Sequence, residues 1–446
     1  MSLRVVLWIA RVSIAAAAGA VWRFLRRLAR RPPRIWHGFT PLHSTAWMVQ
    51  AERTAGFPSL SVVTYARSTK YALVRNEDFD VVFSEKGRWD DVHWLALVHL
   101  LLHGDIWNAY WDCLFFHWRD RTKNVLAFRL IRAAGIKIVV QPHGSDLLSL
   151  NRYKTRYDWP ARAQLDYPTW DLTAQIEVVD ARIAMFDRFA HFVIAGDTMF
   201  EPVVPRWDVS FHTVPVDLEK LAPSATPPHN AAPVIIHAPN HRHVKGTYEL
   251  LASLNRLRER GFAHELRLIE GVPRHEALAM YRDADIIADQ FIMGGFGIFA
   301  LEGLALGKPV LTYLDETHLT RSVYNHPLVN TTLENMDAVL AAMLAIPELR
   351  ARIGAASRAS VERYSSFEVL AEVWAQVYRH VWWGKQLALE TTRAFERERG
   401  TRSLVEDPSV AEFWPVPVDD LLPRIRAAIA QATENRSSFG AIGSES

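Results

Sequence analysis

The stretch Asp289-Gln290-Phe291-Ile292-Met293-Gly294-Gly295-Phe296-Gly297-Ile298-Phe299-Ala300-Leu301-Glu302-Gly303-Leu304-Ala305-Leu306-Gly307-Lys308-Pro309-Val310 decides how the chain is read. A strand is expected to end near Asp289. Three glycines then allow a tight turn whose backbone stays open to a ligand. A helix is expected from Ile298, closed by Gly307, with Pro309 barring its continuation. The free N–H groups at such a helix start suit an anion, for example a diphosphate. Glu302 follows within about a turn, where a carboxylate can accept hydrogen bonds from sugar or ribose hydroxyls. Without a ligand, the glycines are turn chemistry and Glu302 is a favourable charge near a helix start.

Strand, turn and helix repeat on both sides of this stretch. Upstream, strands are expected at Arg34–Gly38, Ser61–Tyr65, Val81–Ser84, Ile136–Gln141 and Phe192–Ala195. Helical patterns at Ser44–Ala55, Thr122–Ala134 and Leu172–Phe189 lie between them. Pro215, Pro223, Pro227 and Pro228, set among Ser, Thr and Asn, mark a linker. The alternation then restarts with strands Val234–Ala238, Leu266–Glu270, Ile286–Asp289 and Val310–Leu314. Helices Thr247–Arg260, His275–Arg282 and Ile298–Leu306 alternate with these strands. Such alternation implies parallel sheets covered on both faces. The expected class is α/β, with two doubly wound (Rossmann-like) domains facing a cleft. The expected division is a basic amphipathic helix over 1–32, an N-terminal domain over 33–216, a linker over 217–232 and a C-terminal domain over 233–385. A helical extension and flexible tail are expected over 386–446, including a helix pattern at Leu421–Ala432.

Doubly wound sheets bind ligands at the carboxyl ends of their strands. Four segments occupy such places. Besides the glycine stretch, His237-Ala238-Pro239-Asn240-His241-Arg242-His243-Val244-Lys245-Gly246 runs from a strand into a helix. A cation at a helix start opposes the dipole, and an anion shared with Lys245 would remove the conflict; the alternative is a solvated lysine. His237, His241 and His243 have no carboxylate at metal-ligand spacing and make a weak metal case. In Gln141-Pro142-His143-Gly144-Ser145-Asp146, His143 can bond a hydroxyl or a phosphate; alternatively it is a buried histidine beside an N-cap, Asp146. In His37-Gly38-Phe39-Thr40-Pro41-Leu42-His43-Ser44, Ser44 could cap the next helix. Asp283-Ala284-Asp285 falls between a helix and a strand, a poor place for a metal pair. G-x-G-x-x-G, Walker and G-x-S-x-G sequences are absent, against a Rossmann dehydrogenase, a P-loop NTPase and an α/β-hydrolase.

Of the 446 residues, 49% are hydrophobic and 22% charged, ordinary values for packed domains. The single cysteine, Cys113, excludes an intrachain disulfide and a cysteine-based metal site. The net charge of +2 conceals an asymmetry. Residues 1–51 hold eight Arg and no acid; the first acid is Glu52. Arg11 interrupts the apolar run of residues 5–25, which disfavours a spanning helix, and the Arg-dense stretch Arg23–Arg34 that follows disfavours a cleaved signal peptide. On a helical wheel Ile14, Val21, Leu25 and Leu28 share one stripe, with Arg23, Arg26, Arg27 and Arg30 opposite. That pattern fits a helix lying in a membrane interface, its arginines among anionic head groups; the alternative is an ordinary helix packed on the body. The expected location is cytoplasmic and peripheral on the membrane.

Taken together and in this order, the four segments resemble the family 4 glycosyltransferases of the GT-B fold. That family has a Lys-Gly pair after the first strand of its C-terminal domain, as Lys245-Gly246 is here. It has a glycine-rich turn leading to Glu-x4-Gly-x-Pro, as Glu302 to Pro309, and a His-Gly-x-Asp segment, as His143 to Asp146. Gly271-Val272-Pro273-Arg274-His275-Glu276 and Tyr281-x-x-Ala284-Asp285 also resemble its nucleotide-side segment. The resemblance covers roughly residues 34–385.

The resemblance implies a retaining transferase using a nucleotide sugar as co-substrate, with a glycan or lipid-linked acceptor. It implies no metal or other cofactor and no nucleic-acid partner. His143 would contact the transferred sugar, and Glu302 would hold ribose or sugar hydroxyls. Lys245 and the turn Gly295, Phe296, Gly297 and Ile298 would hold the diphosphate. Val272, Asn240 and Arg242 would complete the nucleotide side. Two departures stand out. Gly294 replaces a common Glu eight positions before Glu302, and Asn240 replaces a common Arg five before Lys245, with Arg242 a candidate substitute. The rivals are a nucleotide-sugar epimerase of the same architecture and a degenerate, non-catalytic binder.

Overall fold

Strands β1 (Ile35–His37), β2 (Ser59–Val63), β3 (Val81–Val82), β4 (Ile106–Tyr110), β5 (Lys137–Gln141) and β6 (Phe192–Val193) form one parallel sheet. Their order is β3-β2-β1-β4-β5-β6. Strands β7 (Val234–His237), β8 (Glu265–Leu268), β9 (Ile286–Ala288), β10 (Val310–Thr312) and β11 (Val329–Asn330) form a second parallel sheet, in the order β11-β10-β9-β7-β8. This computed structural model describes residues 3–64, 76–83, 89–148, 150–169, 171–196, 199–223, 232–315 and 326–387. The expected tail beyond 387, its pattern at Leu421–Ala432 and residues 224–231 of the expected linker lie outside the described residues.

Parallel strands are joined by helical crossovers and buried on both faces, so they carry apolar side chains throughout. β4 obeys this rule, with all five residues buried. The sequence reading missed it because Asn108 and two aromatics interrupt the β-branched pattern. The expected helices appear within a few residues of their positions, at His43–Thr54, Arg121–Ala133, Leu172–Phe189, Thr247–Glu259, Arg274–Tyr281 and Ile298–Ala305. Three more helices, Trp89–His103, Trp159–Asp166 and the short Arg242–Lys245, were not foreseen. Asp120, Asp158 and Asp171 each accept a backbone N–H three residues on, capping the helices that follow them. Ser44 does not cap; it sits buried inside the first turn of its helix, whose N-cap position is Leu42.

Packing divides the described residues into two units. The first draws on residues 3–153, 171–215 and 365–387; the second draws on 154–170 and 216–364. Chain order alone would leave helix Phe367–Trp383 with the second sheet. Its apolar face decides otherwise, burying Leu370, Trp374, Val377, Tyr378 and Trp382. Trp374 Nε1 donates to Thr213 O (3.1 Å), and the Tyr378 hydroxyl donates to Glu52 in the first unit. Between Met336 and Trp383 the chain forms three helices, Met336–Ala345, Pro347–Tyr364 and this one.

The N-terminal helix Leu3–Leu28 belongs to the first unit and packs on Trp89–His103. Trp8, Val12, Ala15, Ala16 and Gly19 face inward. A Cβ on Gly19 would lie 2.0 Å from Leu101 O, so only glycine permits this approach. The expected roles of the arginines need correction. Arg23 is 2% exposed. Its guanidinium donates to Leu101 O (2.9 Å), Gly104 O (2.8 Å) and Ala134 O (2.6 Å), carbonyls at the ends of two helices. Helix C-termini leave such carbonyls unpaired and negatively polarised, which a multi-donor cation satisfies. Arg26 is likewise taken up, by Asp105 (3.0 Å) and Pro32 O (2.6 Å). Neither side chain is available for head groups.

Candidate functional site

The second unit places most of the residues singled out from sequence at the carboxyl edge of its sheet. Gly246 adopts a left-handed conformation (φ 75°) between the short helix Arg242–Lys245 and Thr247–Glu259. An added Cβ there would also press on Phe291 at 3.0 Å, so the Lys-Gly pair is fixed by backbone shape. Lys245 Nζ donates to Asp289 Oδ1 (3.0 Å) and Gln290 Oε1 (2.9 Å). Asp289 Oδ2 accepts from Gly297 N–H (3.4 Å), at the N-cap of helix Ile298–Ala305. Gln290 Nε2 donates to Gly295 O (2.8 Å), which also accepts from Thr312 Oγ1 (3.0 Å). Asp289 and Gln290 therefore tie Lys245 to the glycine turn. The anion that the sequence reading asked for beside Lys245 is already present, as the buried Asp289 carboxylate.

The same balance recurs around it. Glu302 is 4% exposed and is gripped by Arg274. Burial pushes its carboxyl above the usual range, with Arg274 opposing that shift. Arg242 lies at the surface and forks onto Glu270 (2.9 and 2.5 Å). The N–H groups of His243 and Val244 are capped by Asp166 (3.2 and 3.0 Å). Lys245, Arg274 and Arg242 are thus each paired with a carboxylate, and the expected uncompensated positive field is offset at all three. Ile298 and Phe299 open the helix, where geometry provides no intrahelical acceptor for their N–H groups. Phe296 is buried, with its ring edge-on to His326, so only its backbone can face a ligand. Asn240 is exposed and Val272 half-buried.

Gly294 has a neighbour that no sequence reading could supply. A Cβ built on it would come within 2.5–2.8 Å of the Asp315 side chain. A carboxylate is thus placed beside residue 294 by the segment that follows β10. The histidines do not form a metal site. His237 is buried, bonded to Ala288 O (2.7 Å) and Thr247 Oγ1 (2.8 Å), and burial lowers its pKa to about 4. His241 bonds the Tyr167 hydroxyl. Asp285 Oδ2 accepts from Val234 N–H (2.8 Å), a structural role.

In the first unit, loops from the adjacent strands β1, β4 and β5 converge. His143 Nε2 lies 3.2 Å from Asp112 Oδ2, and Thr40 Oγ1 donates to Asp112 Oδ1 (2.6 Å). Tyr110 meets the His143 ring edge-on at 5.2 Å. Asp146 caps no helix. Instead it gathers the loop, accepting from the N–H groups of His143 (3.0 Å), Gly144 (2.9 Å) and Trp111 (3.1 Å). Burial alone would lower the His143 pKa, but Asp146 and Asp112 overcome it and raise it to about 9. Asp112 was missed because β4, the strand it follows, was missed. The ligand atoms of Asp112, His143 and Asp146 lie within 4.8 Å of one another, a spacing that could suit a metal. Their oxygens are already engaged by Thr40, by the imidazole and by backbone N–H groups, and we assign no ion.

No protein-family model and no curated protein matches the chain. Solved structures do. Sucrose-phosphate synthase from Thermosynechococcus elongatus superposes with a TM-score of 0.53 at 12% identity, over 80% of this chain and 100% of that one. HepE of Anabaena in complex with UDP gives 0.51 at 13% identity, over 77% and 99%. The same protein with UDP-glucose gives 0.50 at 12%, over 77% and 98%. The chain has the GT-B fold, an architecture used by glycosyltransferases.

Proposed function

We propose that this protein is a glycosyltransferase that moves a sugar from a nucleotide-sugar donor to a lipid-linked or polysaccharide acceptor, with retention of configuration. One observation carries the reading: on a GT-B fold, Asp289 and Gln290 tie Lys245 to the glycine turn at the strand ends of the second sheet. The diphosphate engages the outward face of the Lys245 ammonium and the N–H groups of Ile298 and Phe299, drawing part of the Lys245 charge away from Asp289. These groups stabilise the departing diphosphate as charge develops on it. Asp315 supplies the carboxylate that Gly294 lacks and bonds sugar hydroxyls. Glu302, oriented by Arg274, accepts from ribose or sugar hydroxyls. His143, held by Asp112, donates to the transferred sugar. In this scheme the leaving diphosphate oxygen takes the acceptor proton, which requires no dedicated base. No metal or further cofactor takes part. The protein works in the cytoplasm at an anionic membrane surface, held there by residues 1–31.

Incubation with labelled nucleotide sugars and membrane-lipid or polysaccharide acceptors tests this, with the anomeric configuration of the product read by NMR. Transfer lost in Lys245→Ala and Glu302→Ala supports it. The pairing of Lys245, Arg274 and Arg242 with carboxylates favours a second reading, a non-catalytic sugar-nucleotide binder. That reading gains if nucleotide sugars bind and no acceptor is modified.

A further inference from the structure

The N-terminal helix shows more than its sequence could. Nine of the thirteen large apolar side chains that stand exposed among the described residues lie on it. Ile14 is 71% exposed, Val21 62% and Leu28 66%. With Leu7 they recur every seven residues, which on a straight helix drifts by only about 20° per step. The opposite side is fastened down. Arg23 caps three backbone carbonyls, Trp8 Nε1 donates to Asp91 (2.9 Å), and Arg26 holds Asp105.

By length and composition the helix could cross a membrane. Crossing would expose the buried Arg23 to hydrocarbon and strand three helix-end carbonyls. We propose that Leu3–Leu28 stays docked on its unit and lies flat in the interface of an anionic bilayer, its apolar stripe at the acyl boundary. Arg30 and Arg31, exposed at its C-terminal end, meet the lipid phosphates, while Arg27 lies over the Trp382 ring (4.0 Å). Charge complementarity favours lipid over a second copy of the chain. Residues 1–51 contain no acid, so two such helices laid together would set arginine against arginine. The inference rests on the membrane part of the proposed function and is independent of the transfer chemistry.

The chain offers its own test. Cys113 is 1% exposed, so a cysteine placed on the helix is the site a thiol label reaches. Leu7→Cys, Ile14→Cys, Val21→Cys and Leu28→Cys, each in the full chain, are labelled with an environment-sensitive fluorophore. They are mixed with phosphatidylglycerol–phosphatidylcholine vesicles, and depth is read by lipids brominated at different positions. A flat helix gives four similar, shallow depths. A spanning helix, rising about 1.5 Å per residue, puts Ile14 and Val21 near the bilayer centre while Leu7 and Leu28 stay shallow at its two surfaces, a spread between the middle and outer pairs. Such a spread overturns the inference and leaves membrane association intact. No quenching with anionic vesicles overturns both. Quenching absent while the protein sediments as a dimer points to a second copy instead and also overturns it.

Discussion

Lys245 and Asp289 form a partly buried ion pair: the ammonium, open on one side, lies 3.0 Å from one oxygen of the buried carboxylate, and the other oxygen accepts from Gly297 N–H. Asp289 is 1% exposed, so removing Lys245 leaves a carboxylate buried without its cation. Lys245→Ala should destabilise the protein by about 1–3 kcal/mol. Adding Asp289→Asn should restore most of that stability without restoring affinity for nucleoside diphosphates. Urea unfolding and calorimetric titration of the single and double variants measure the two effects separately.

His143 should carry its proton at neutral pH. Its value of about 9 in the folded state stands above the unfolded value of about 6.5. The linked stability is therefore fully present below about pH 6.5 and is lost as the pH rises through 9. Asp112→Asn removes one of the two carboxylates responsible. The His143 ring signals in NMR should then titrate at lower pH, and the fall in urea midpoint between pH 6.5 and 9 should shrink.

Glu302 has the opposite chemistry but the same sign of linkage. Burial raises its carboxyl pKa above the unfolded range, with Arg274 opposing. Folding therefore favours the protonated form, and stability declines as the pH rises above about 4.3. Glu302→Gln should flatten the urea midpoint between pH 4 and 7. Arg274→Ala should steepen it, because the opposing cation is gone.

Tyr378 sits in a buried polar chain, donating to Glu52 and accepting from Asn108 Nδ2 (2.7 Å). Glu52 also bonds His37 (2.8 Å), and Asn108 accepts from Gln141 (2.8 Å). Tyr378→Phe deletes one oxygen and leaves two buried partners short, a cost of about 1–3 kcal/mol. Thermal unfolding should report it.

The alternating strands and helices were legible because period and punctuation are local. The Lys-Gly pair and the glycine turn could be found for the same reason. Asp112 could not, since it depends on β4, whose Asn108 breaks the apolar pattern while serving the buried network. The pairing of Asp289 with Lys245 spans 44 residues, and that of Arg274 with Glu302 spans 28. Asp315 beside Gly294 is a through-space neighbour with no periodic signature. The helical wheel of the basic head sorted its faces correctly, but a wheel does not say what covers a face. Arg23 and Arg26 are taken up by helix ends and by Asp105.

The most direct test of the diphosphate seat is thermal unfolding of the intact chain with a panel of nucleoside diphosphates and nucleotide sugars. The Lys245→Ala/Asp289→Asn double variant serves as a folded control. At a hundredfold excess over its dissociation constant a ligand adds about 2.7 kcal/mol. At least one of the panel should raise the Tm of the intact chain, and none should raise that of the double variant. An equal rise in both, or none in the intact chain, would contradict a diphosphate held by Lys245 and the glycine turn.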